Sequence, residues 1–366
     1  MGMRRGTSVF LVAFPVLVGC ATGPDQAQDA DSLPDVSGFP KDAWRGVHVL
    51  YQDRGDLAIL RRAIEEVFVP KGVNALVLEV NYFFEWQSHP ELRVPGGMTK
   101  DDAREFAAYC RGKGIRLIPQ FNCFGHQSWA ANTFPLLTHY AELDVSPEVP
   151  ASNEGIYCRS WNPLHPKTNE IVFALLDELV DAFQPEAFHV GMDEVFLFPE
   201  EGDPHYQGET TAEVFAKTVN DLHAHLVKEK GLTMLIWGDR LIPMSEMNYG
   251  RYESSDNGTA PAIDLIPKDI IVCDWHYSRR AEYPSVPYFQ DKGFRVWPAP
   301  WRSRTAALAL MSYSQRTATD RMIGMLCTTW CGTTNFCKVI LGESTEETPP
   351  LAVKVGETFD AVAAVW

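Results

Sequence analysis

The chain has 366 residues, of which 45% are hydrophobic and 22% charged, as is ordinary for a globular protein with a substantial core. Its formal net charge of -16 makes nucleic acid and anionic membrane surfaces poor partners. The composition therefore excludes a typical nucleic-acid-binding protein and favours a neutral ligand.

The first predicted element is a targeting segment. Arg4 and Arg5 precede an apolar stretch that is too short for a comfortable membrane span and ends directly before Cys20. This pattern resembles a bacterial lipoprotein signal over residues 1–19, with a lipid anchor to the membrane through Cys20. A plain secretory signal or a short anchor is the alternative. Residues 20–40 are rich in polar residues and glycine and predict a flexible tether, so we expect a lipid-anchored protein of the bacterial cell envelope, periplasmic or surface-exposed.

Beyond the tether, short apolar segments bounded by glycine, proline or polar residues alternate with amphipathic runs. Eight strands are predicted, at 44–51, 74–81, 115–121, 187–193, 233–237, 270–275, 294–297 and 322–328. Helices are predicted at 56–69, 99–112, 168–183, 210–230, 304–317 and 351–365, with a long loop at 241–266. This alternation predicts an α/β fold, a (β/α)8 TIM barrel formed by a single domain at 41–366. A doubly wound open sheet is the main alternative, although no glycine-rich phosphate fingerprint follows the first strand.

In such a barrel the functional residues lie at the carboxyl ends of the strands. Those ends carry mostly carboxylates, amides and tryptophans: Asp53, Arg54, Asn81, Glu85, Gln120, Asn122, His126, Asp193, Glu194, Trp237, Asp239, Asp274, Trp275, His276, Trp297, Trp301 and Trp330. Aromatic faces beside polar groups suit a sugar ring, which has apolar faces and a polar rim. The alternative is that the tryptophans fill the barrel mouth as core.

Asp193 and Glu194 form an adjacent pair of acids at the end of the fourth predicted strand. Neighbouring residues there point in different directions, so both can serve one pocket in different roles. Most retaining glycosidases use two separate carboxylates about 5 Å apart. An adjacent pair instead suits substrate-assisted hydrolysis, in which the 2-acetamido group of the sugar attacks the anomeric carbon.

The segment HVGMDE (189–194) resembles the H-x-G-x-D-E signature of glycoside hydrolase family 20, the β-N-acetylhexosaminidases. The segments GIRLIPQFNCFGHQSWA (114–130), LIWGD, VCDWHY, PAPW and GMLCTTW resemble further strands of that family in the same order. The resemblance covers 44–335. It implies a catalytic barrel that acts on 2-acetamido glycans.

The resemblance also implies roles for individual residues. Glu194 would be the general acid and base, Asp193 would orient the acetamido group, and His126 would support both acids. Trp237, Trp275 and Trp330 would wall the sugar pocket. The further candidates for substrate binding are Trp301, Asn122, Gln120, Arg54, Asp239 and Tyr277.

Two parts of the expected hydroxyl-binding shell are changed at the ends of the first and third strands. The family pattern has an arginine where this chain has Asp53, and Arg54 follows one residue late. The family pattern also has a glutamate and an aspartate where this chain has Gln120 and Asn122. We therefore expect a divergent member with another sugar or linkage.

Two more departures lie near the last strands. Arg302 stands where the family has a tyrosine that binds the acetamido oxygen, so Tyr277 or Tyr82 is a candidate to replace it. Gly332 stands where the family has a glutamate. Because of these changes, loss of the catalytic activity is an open alternative.

Three hypotheses follow. The first is a hydrolase that removes terminal 2-acetamido sugars. The second is a carbohydrate-binding lipoprotein on the same barrel without turnover. The third is a retaining hydrolase whose nucleophile is Asp274 or Asp239. No cofactor is expected, and the sequence holds no C-x-x-C pair that would favour a zinc site.

Overall fold

The computed structural model describes residues 39–366, in which eight parallel strands form the wall of a barrel. In chain order the strands are β1 (Trp44–Leu50), β2 (Ala75–Glu79), β3 (Arg116–Cys123), β4 (Ala187–Gly191), β5 (Thr233–Trp237), β6 (Ile271–Trp275), β7 (Arg295–Ala299) and β8 (Gly324–Cys327). Each strand pairs with the next along the chain, and β8 pairs with β1. A parallel bridge between Val296 and Met322 closes the ring. The predicted (β/α)8 fold is confirmed.

The predicted signal and its lipidation residue, Cys20, lie outside the described residues, as does the tether except for residues 39 and 40. Those expectations remain predictions. Within residues 39–366, no helix combines the length and the apolar character that crossing a bilayer requires.

Helices surround the barrel. Those of seven residues or more are α1 (Arg54–Ala63), α2 (Lys100–Gly112), α3 (Pro166–Phe183), α4 (Thr211–His223), α5 (Ser285–Asp291), α6 (Arg304–Arg316), α7 (Thr333–Ile340) and α8 (Pro350–Ala363). Capping boxes at Thr99 and Thr210 begin α2 and α4 by satisfying their first backbone N–H groups. The predicted loop 241–266 contains only short helical turns, at Met244–Met247 and Ala260–Asp264.

The core has two layers because alternate strand residues face opposite sides of the sheet. Ala75 and Val77 of β2 face the barrel interior, while Leu76 and Leu78 pack outward against helices. Trp237, Trp275 and Trp297 fill much of the interior. Trp297 fits only because β1 has Gly46 opposite it, where a Cβ atom would lie 2.1 Å from the indole ring.

The seven cysteines in the described part of the chain are buried free thiols. Burial raises the pKa of Cys110 to about 12 and that of Cys331 to about 12. Thiols with such pKa values are protonated at neutral pH and behave as small apolar core residues.

Candidate active site

A pocket of about 220 Å³ opens at the carboxyl ends of the strands. It is lined by Leu50, Tyr51, Gln52, Glu79, Asn81, Phe83, Asn122, His126, Ser128, Trp129, Phe134, Tyr157, Asp193, Glu194, Trp275, Tyr277, Trp301 and Trp330. The lining combines aromatic faces with a few convergent polar groups. That is the usual composition of a small-molecule site.

The two adjacent acids converge on one histidine in this pocket. His126 Nε2 lies 3.2 Å from Asp193 Oδ2 and 3.3 Å from Glu194 Oε2, and neither contact is an aligned hydrogen bond. The side chains of His126 and Asp193 are each 13% exposed and that of Glu194 is 9% exposed. The three groups are therefore sheltered from bulk water but still reach the pocket.

The charges of His126 and Asp193 stabilise each other. Burial lowers the pKa of His126, but the carboxylate of Asp193 outweighs burial and holds this pKa well above its ordinary value. Burial raises the pKa of Asp193, but the charge of His126 outweighs it and leaves this pKa below its ordinary value. At neutral pH the pair is thus an imidazolium and a carboxylate.

The same three side chains have the donor types of a cation site. Their ligand atoms all lie within 4.8 Å of one another. The ion pair between His126 and Asp193 accounts for this convergence without a metal. Because a protonated imidazole cannot ligate, a metal would have to displace the proton of His126.

The backbone that carries the acids is held in an uncommon conformation. Gly191, Met192 and Glu194 have φ angles of 68°, 72° and 50°. His189 Nδ1 accepts a hydrogen bond of 3.0 Å from the Gly191 N–H. Because burial lowers the pKa of His189 to about 3, its imidazole is neutral. Strain of this kind persists only where the surroundings enforce it, and it concentrates at functional sites.

Asp239 provides part of that enforcement from behind the pocket. Its Oδ2 accepts the Glu194 N–H at 2.8 Å and Arg240 Nε at 2.7 Å, and its Oδ1 accepts Trp275 Nε1 at 3.1 Å. Burial raises the pKa of Asp239 to about 6, although the charge of Arg240 opposes this shift. One carboxylate thus fixes both the backbone of Glu194 and the pocket wall at Trp275.

Glu79, at the end of β2, organises the pocket floor. Its Oε1 accepts Asn122 Nδ2 at 3.1 Å and Asn81 Nδ2 at 3.3 Å. Its Oε2 accepts Gln120 Nε2 at 2.9 Å and lies 3.2 Å from His48 Nε2. Four contacts occupy the four lone-pair positions of a carboxylate, so Glu79 holds the floor rather than offering a free acceptor.

Aromatic rings form the opposite wall. Trp275 and Tyr277 stack at 4.8 Å, and Trp330 Nε1 donates a hydrogen bond to the Tyr277 hydroxyl. Trp301 packs on Tyr277 at 5.2 Å. Tyr157 lies on the side of the acids, where burial and then the charge of Glu194 raise its pKa.

Eight of the twelve predicted catalytic and substrate-binding residues line the pocket: Asn122, His126, Asp193, Glu194, Trp275, Tyr277, Trp301 and Trp330. Four lie elsewhere. Gln120 and Asp239 are buried behind the lining, in the contacts described above. Trp237 is fully buried beneath Trp330, with ring centroids 5.7 Å apart. Arg54 is exposed and pairs with Glu85 and Asp102.

The sequence interpretation assigned no role to several lining residues, among them Glu79 and Tyr157. Glu79 falls at a strand end, so the barrel rule could have identified it, but it stands inside the predicted strand 74–81. Tyr157 comes from the long connection between β3 and β4 and carries no comparable sequence signal.

The positions at which this sequence departs from the family pattern make other contacts. The Asp53 side chain caps α1 by accepting the Gly55 N–H at 2.6 Å. The Arg302 guanidinium lies 4.1 Å from the centre of the Trp301 ring. Gly332 precedes α7. In the described part of the chain, His126 is the only basic side chain that lines the pocket.

The fold and this pocket define a class, the (β/α)8 barrels with an acidic, aromatic-walled site at the carboxyl ends of the strands. A family comparison narrows the class. The model of the glycosyl hydrolase family 20 catalytic domain matches residues 82–343, well over half of the chain. The chain therefore belongs to glycosyl hydrolase family 20.

Curated relatives agree with the family. The chain is 27% identical over 176 residues to beta-hexosaminidase subunit A2 of Dictyostelium discoideum, covering 44% of this chain and 30% of that protein. It is 26% identical over 201 residues to a beta-hexosaminidase of Emericella nidulans, covering 48% and 28%. The chain thus spans less than a third of the length of these curated relatives.

A structural comparison gives the same fold. A chitobiase from Flavobacterium johnsoniae superposes with a TM-score of 0.58 at 19% sequence identity, over 89% of this chain and 52% of the chitobiase.

Proposed function

We propose that the protein is a glycoside hydrolase that removes 2-acetamido sugars by substrate-assisted, retaining hydrolysis. The observation that carries the proposal is the convergence of Asp193, Glu194 and His126 in the pocket of a family 20 barrel. The hexosaminidase names of the relatives agree with it.

In the first step, the acetamido oxygen of the substrate attacks the anomeric carbon while the bond to the leaving oxygen breaks. Glu194 gives its proton to that oxygen, and Asp193 orients the acetamido N–H and balances the charge that develops on it. In the second step, Glu194 takes a proton from water, which attacks the anomeric carbon and opens the cyclised acetamido group. The product retains its configuration.

The aromatic wall supports a sugar ring in this position. Trp275, Trp301 and Trp330 offer faces to the apolar side of the ring. Of the two tyrosines that could replace the family's acetamido-binding tyrosine, Tyr277 lines the pocket, whereas Tyr82 is buried and donates to Gln127. We therefore assign the acetamido oxygen to Tyr277.

Two alternatives to this reaction differ in how well the contacts support them. Asp274 is fully buried between His276 and Ser285, and Asp239 lies behind the lining, so neither is placed to act as a nucleophile. Binding without turnover is favoured by one observation. Asp53 stands where the family pattern has an arginine that binds the sugar hydroxyls. In that case, long incubation with a 2-acetamido glycoside would yield a complex but no free sugar.

Glu194→Gln tests the role of the acid. The variant should lose about 10²- to 10⁴-fold in kcat/KM on a methyl 2-acetamido-2-deoxy-β-glucoside, because methanol leaves poorly without a proton. The loss should be smaller on the 4-nitrophenyl glycoside, whose leaving group needs little protonation. Glu357→Gln, an exposed carboxylate on α8, is the matched control. Wild-type hydrolysis of the methyl glycoside by Glu194→Gln would refute the assignment.

We also propose, from residues 1–20 alone, that Cys20 carries a lipid and anchors the chain to a bacterial envelope. Partition of the intact mature protein into water rather than detergent would contradict this.

A further inference from the structure

Tyr157 enters the pocket from the long connection between β3 and β4, on the side of the acids. It lines the pocket together with Glu194 and His126. The next residue, Cys158, lies against the backbone of the acid, since its Sγ is 3.7 Å from the Glu194 carbonyl oxygen. The connection therefore packs directly on the segment that carries the acids, although the reaction proposed for them gives Tyr157 no part.

The ring of Tyr157 packs against four other aromatic rings. Its centroid lies 6.0 Å from that of His126 and 5.7 Å from that of Trp129. Phe196, which follows the acids in the chain, lies at 5.6 Å, and Tyr252, from the connection after β5, lies at 5.3 Å. Because most of these contacts are edge-to-face, they fix the orientation of the ring and with it the place of the hydroxyl.

The hydroxyl of Tyr157 faces the carboxyl group of Glu194. Burial raises the pKa of Tyr157 most, followed by the charge of Glu194 and a hydrogen bond with it. Because an ionised carboxylate only accepts, the phenol is the donor in this contact. The pocket therefore presents the acid with a donor that keeps its proton at neutral pH.

In the described part of the chain, the other titratable or charged groups around Glu194 are Asp193, His126, Cys158, Asp239 and Arg240. The charges of His126 and Asp193 balance each other. Behind the pocket, Asp239 accepts the Glu194 N–H and pairs with Arg240. Burial raises the pKa of the Cys158 thiol, which stays protonated. The charged neighbours are thus engaged with one another, whereas the Tyr157 hydroxyl is a neutral donor directed at the acid.

We propose that Tyr157 is a positioning residue for the reaction, because its hydroxyl orients the Glu194 carboxyl group so that the oxygen carrying the proton faces the leaving group. This inference rests on the proposed function, since it takes Glu194 as the acid. When Glu194 gives up its proton, the carboxylate accepts more strongly than the neutral acid did. The contact therefore stabilises the transition state more than the ground state.

Tyr157→Phe tests the proposal, because it removes the hydroxyl and keeps the ring. The matched control is Tyr252→Phe, which makes the same change in a ring that packs on Tyr157 but does not line the pocket. The substrate is the methyl 2-acetamido-2-deoxy-β-glucoside, whose leaving group depends on the acid. The measurements are kcat and KM, and the dependence of kcat/KM on pH.

We expect Tyr157→Phe to lose about tenfold in kcat, with KM within about twofold of wild type. The alkaline limb of its kcat/KM profile should move about one pH unit upward, because an ionised acid without its donor is less stable and holds its proton more tightly. Tyr252→Phe should match wild type in both respects. An unchanged alkaline limb, or a change in KM alone, would overturn the proposal.

Carbon-13 NMR of protein labelled at the glutamate side-chain carboxyl groups separates this result from failure of the proposed function, because it needs no turnover. The Glu194 resonance is the one missing from Glu194→Gln. Its titration midpoint should lie about one pH unit higher in Tyr157→Phe than in wild type or Tyr252→Phe. A shifted midpoint in a protein that hydrolyses no glycoside would support the contact and refute only the proposed function. Equal midpoints in wild type and Tyr157→Phe would overturn the inference whether or not the protein is active.

Discussion

The imidazolium of His126 balances the carboxylate of Asp193 in the candidate active site. Without this positive charge, Asp193 would hold an uncompensated negative charge beside Glu194 in a sheltered pocket, which is costly. His126 is therefore a source of stability as well as a support for the acids.

Replacing this residue should make the stability difference depend on pH. The pKa of His126 is raised, so its contribution is fully present below the ordinary histidine value, about 6.5, and is lost as pH rises through the raised value. We expect His126→Gln to lower the free energy of unfolding by about 1–3 kcal/mol at pH 6, with the deficit shrinking in alkaline solution.

Urea unfolding of the wild type and of His126→Gln between pH 6 and pH 10 measures this difference in the free energy of unfolding. His139→Gln, an exposed histidine, is the control and should show a small deficit. A deficit for His126→Gln that stays constant or grows with pH would contradict the ion pair.

At the scale of elements, the junction after β4 places the acids. It has a left-handed glycine at Gly191, where the backbone passes close to β3. A Cβ atom there would lie 2.8 Å from Asn122 Oδ1 and 3.0 Å from Asn122 Cα. The close approach of β4 and β3 joins the acid pair to the Glu79 floor.

Gly191→Ala separates close approach from backbone conformation. Gly231 has a similar φ angle, 73° against 68°, but its added Cβ would meet nothing within 4 Å. Both alanine variants should lose about 1–2 kcal/mol for the left-handed conformation. Gly191→Ala should lose about 1–3 kcal/mol more through overpacking and should also lower kcat/KM. Equal unfolding midpoints in urea would show that the contact with Asn122 does not matter.

The strands were the most predictable elements. Fully covered parallel strands are continuous apolar runs, so all eight predicted segments coincide with β1–β8 to within a few residues. The helices α5 and α7 were not predicted, because runs of seven and eight residues are too short to display a helical period and α5 contains Pro287.

The site was predictable only where strand ends supply it. Asp193, Glu194 and Trp275 follow from the barrel rule, whereas Tyr157 arrives from a long connection whose path no local pattern specifies. Trp237 shows a second limit on predicting the site from the sequence. Which strand residues face the interior is fixed by the pleat, but the depth of a side chain below the mouth depends on its neighbours, here Trp330.

At the scale of the whole molecule, a closed barrel brings residues from distant parts of the chain to one mouth. The floor comes from β2 and β3, the acids from the junction after β4, and the aromatic wall from the ends of β6, β7 and β8. Closure between β7 and β8 is thus needed for the pocket as well as for stability. At this mouth, we propose, the acetamido group of the substrate serves as the nucleophile.

Comparing two substrates tests that claim most directly. The wild-type protein is assayed on 4-nitrophenyl 2-acetamido-2-deoxy-β-glucoside and on 4-nitrophenyl β-glucoside, which has a hydroxyl in place of the acetamido group. Because a well-placed internal nucleophile has a very high effective concentration, kcat/KM should be at least about a thousandfold higher for the acetamido substrate. Comparable values for the two substrates would contradict the account, since they would require a nucleophile from the protein.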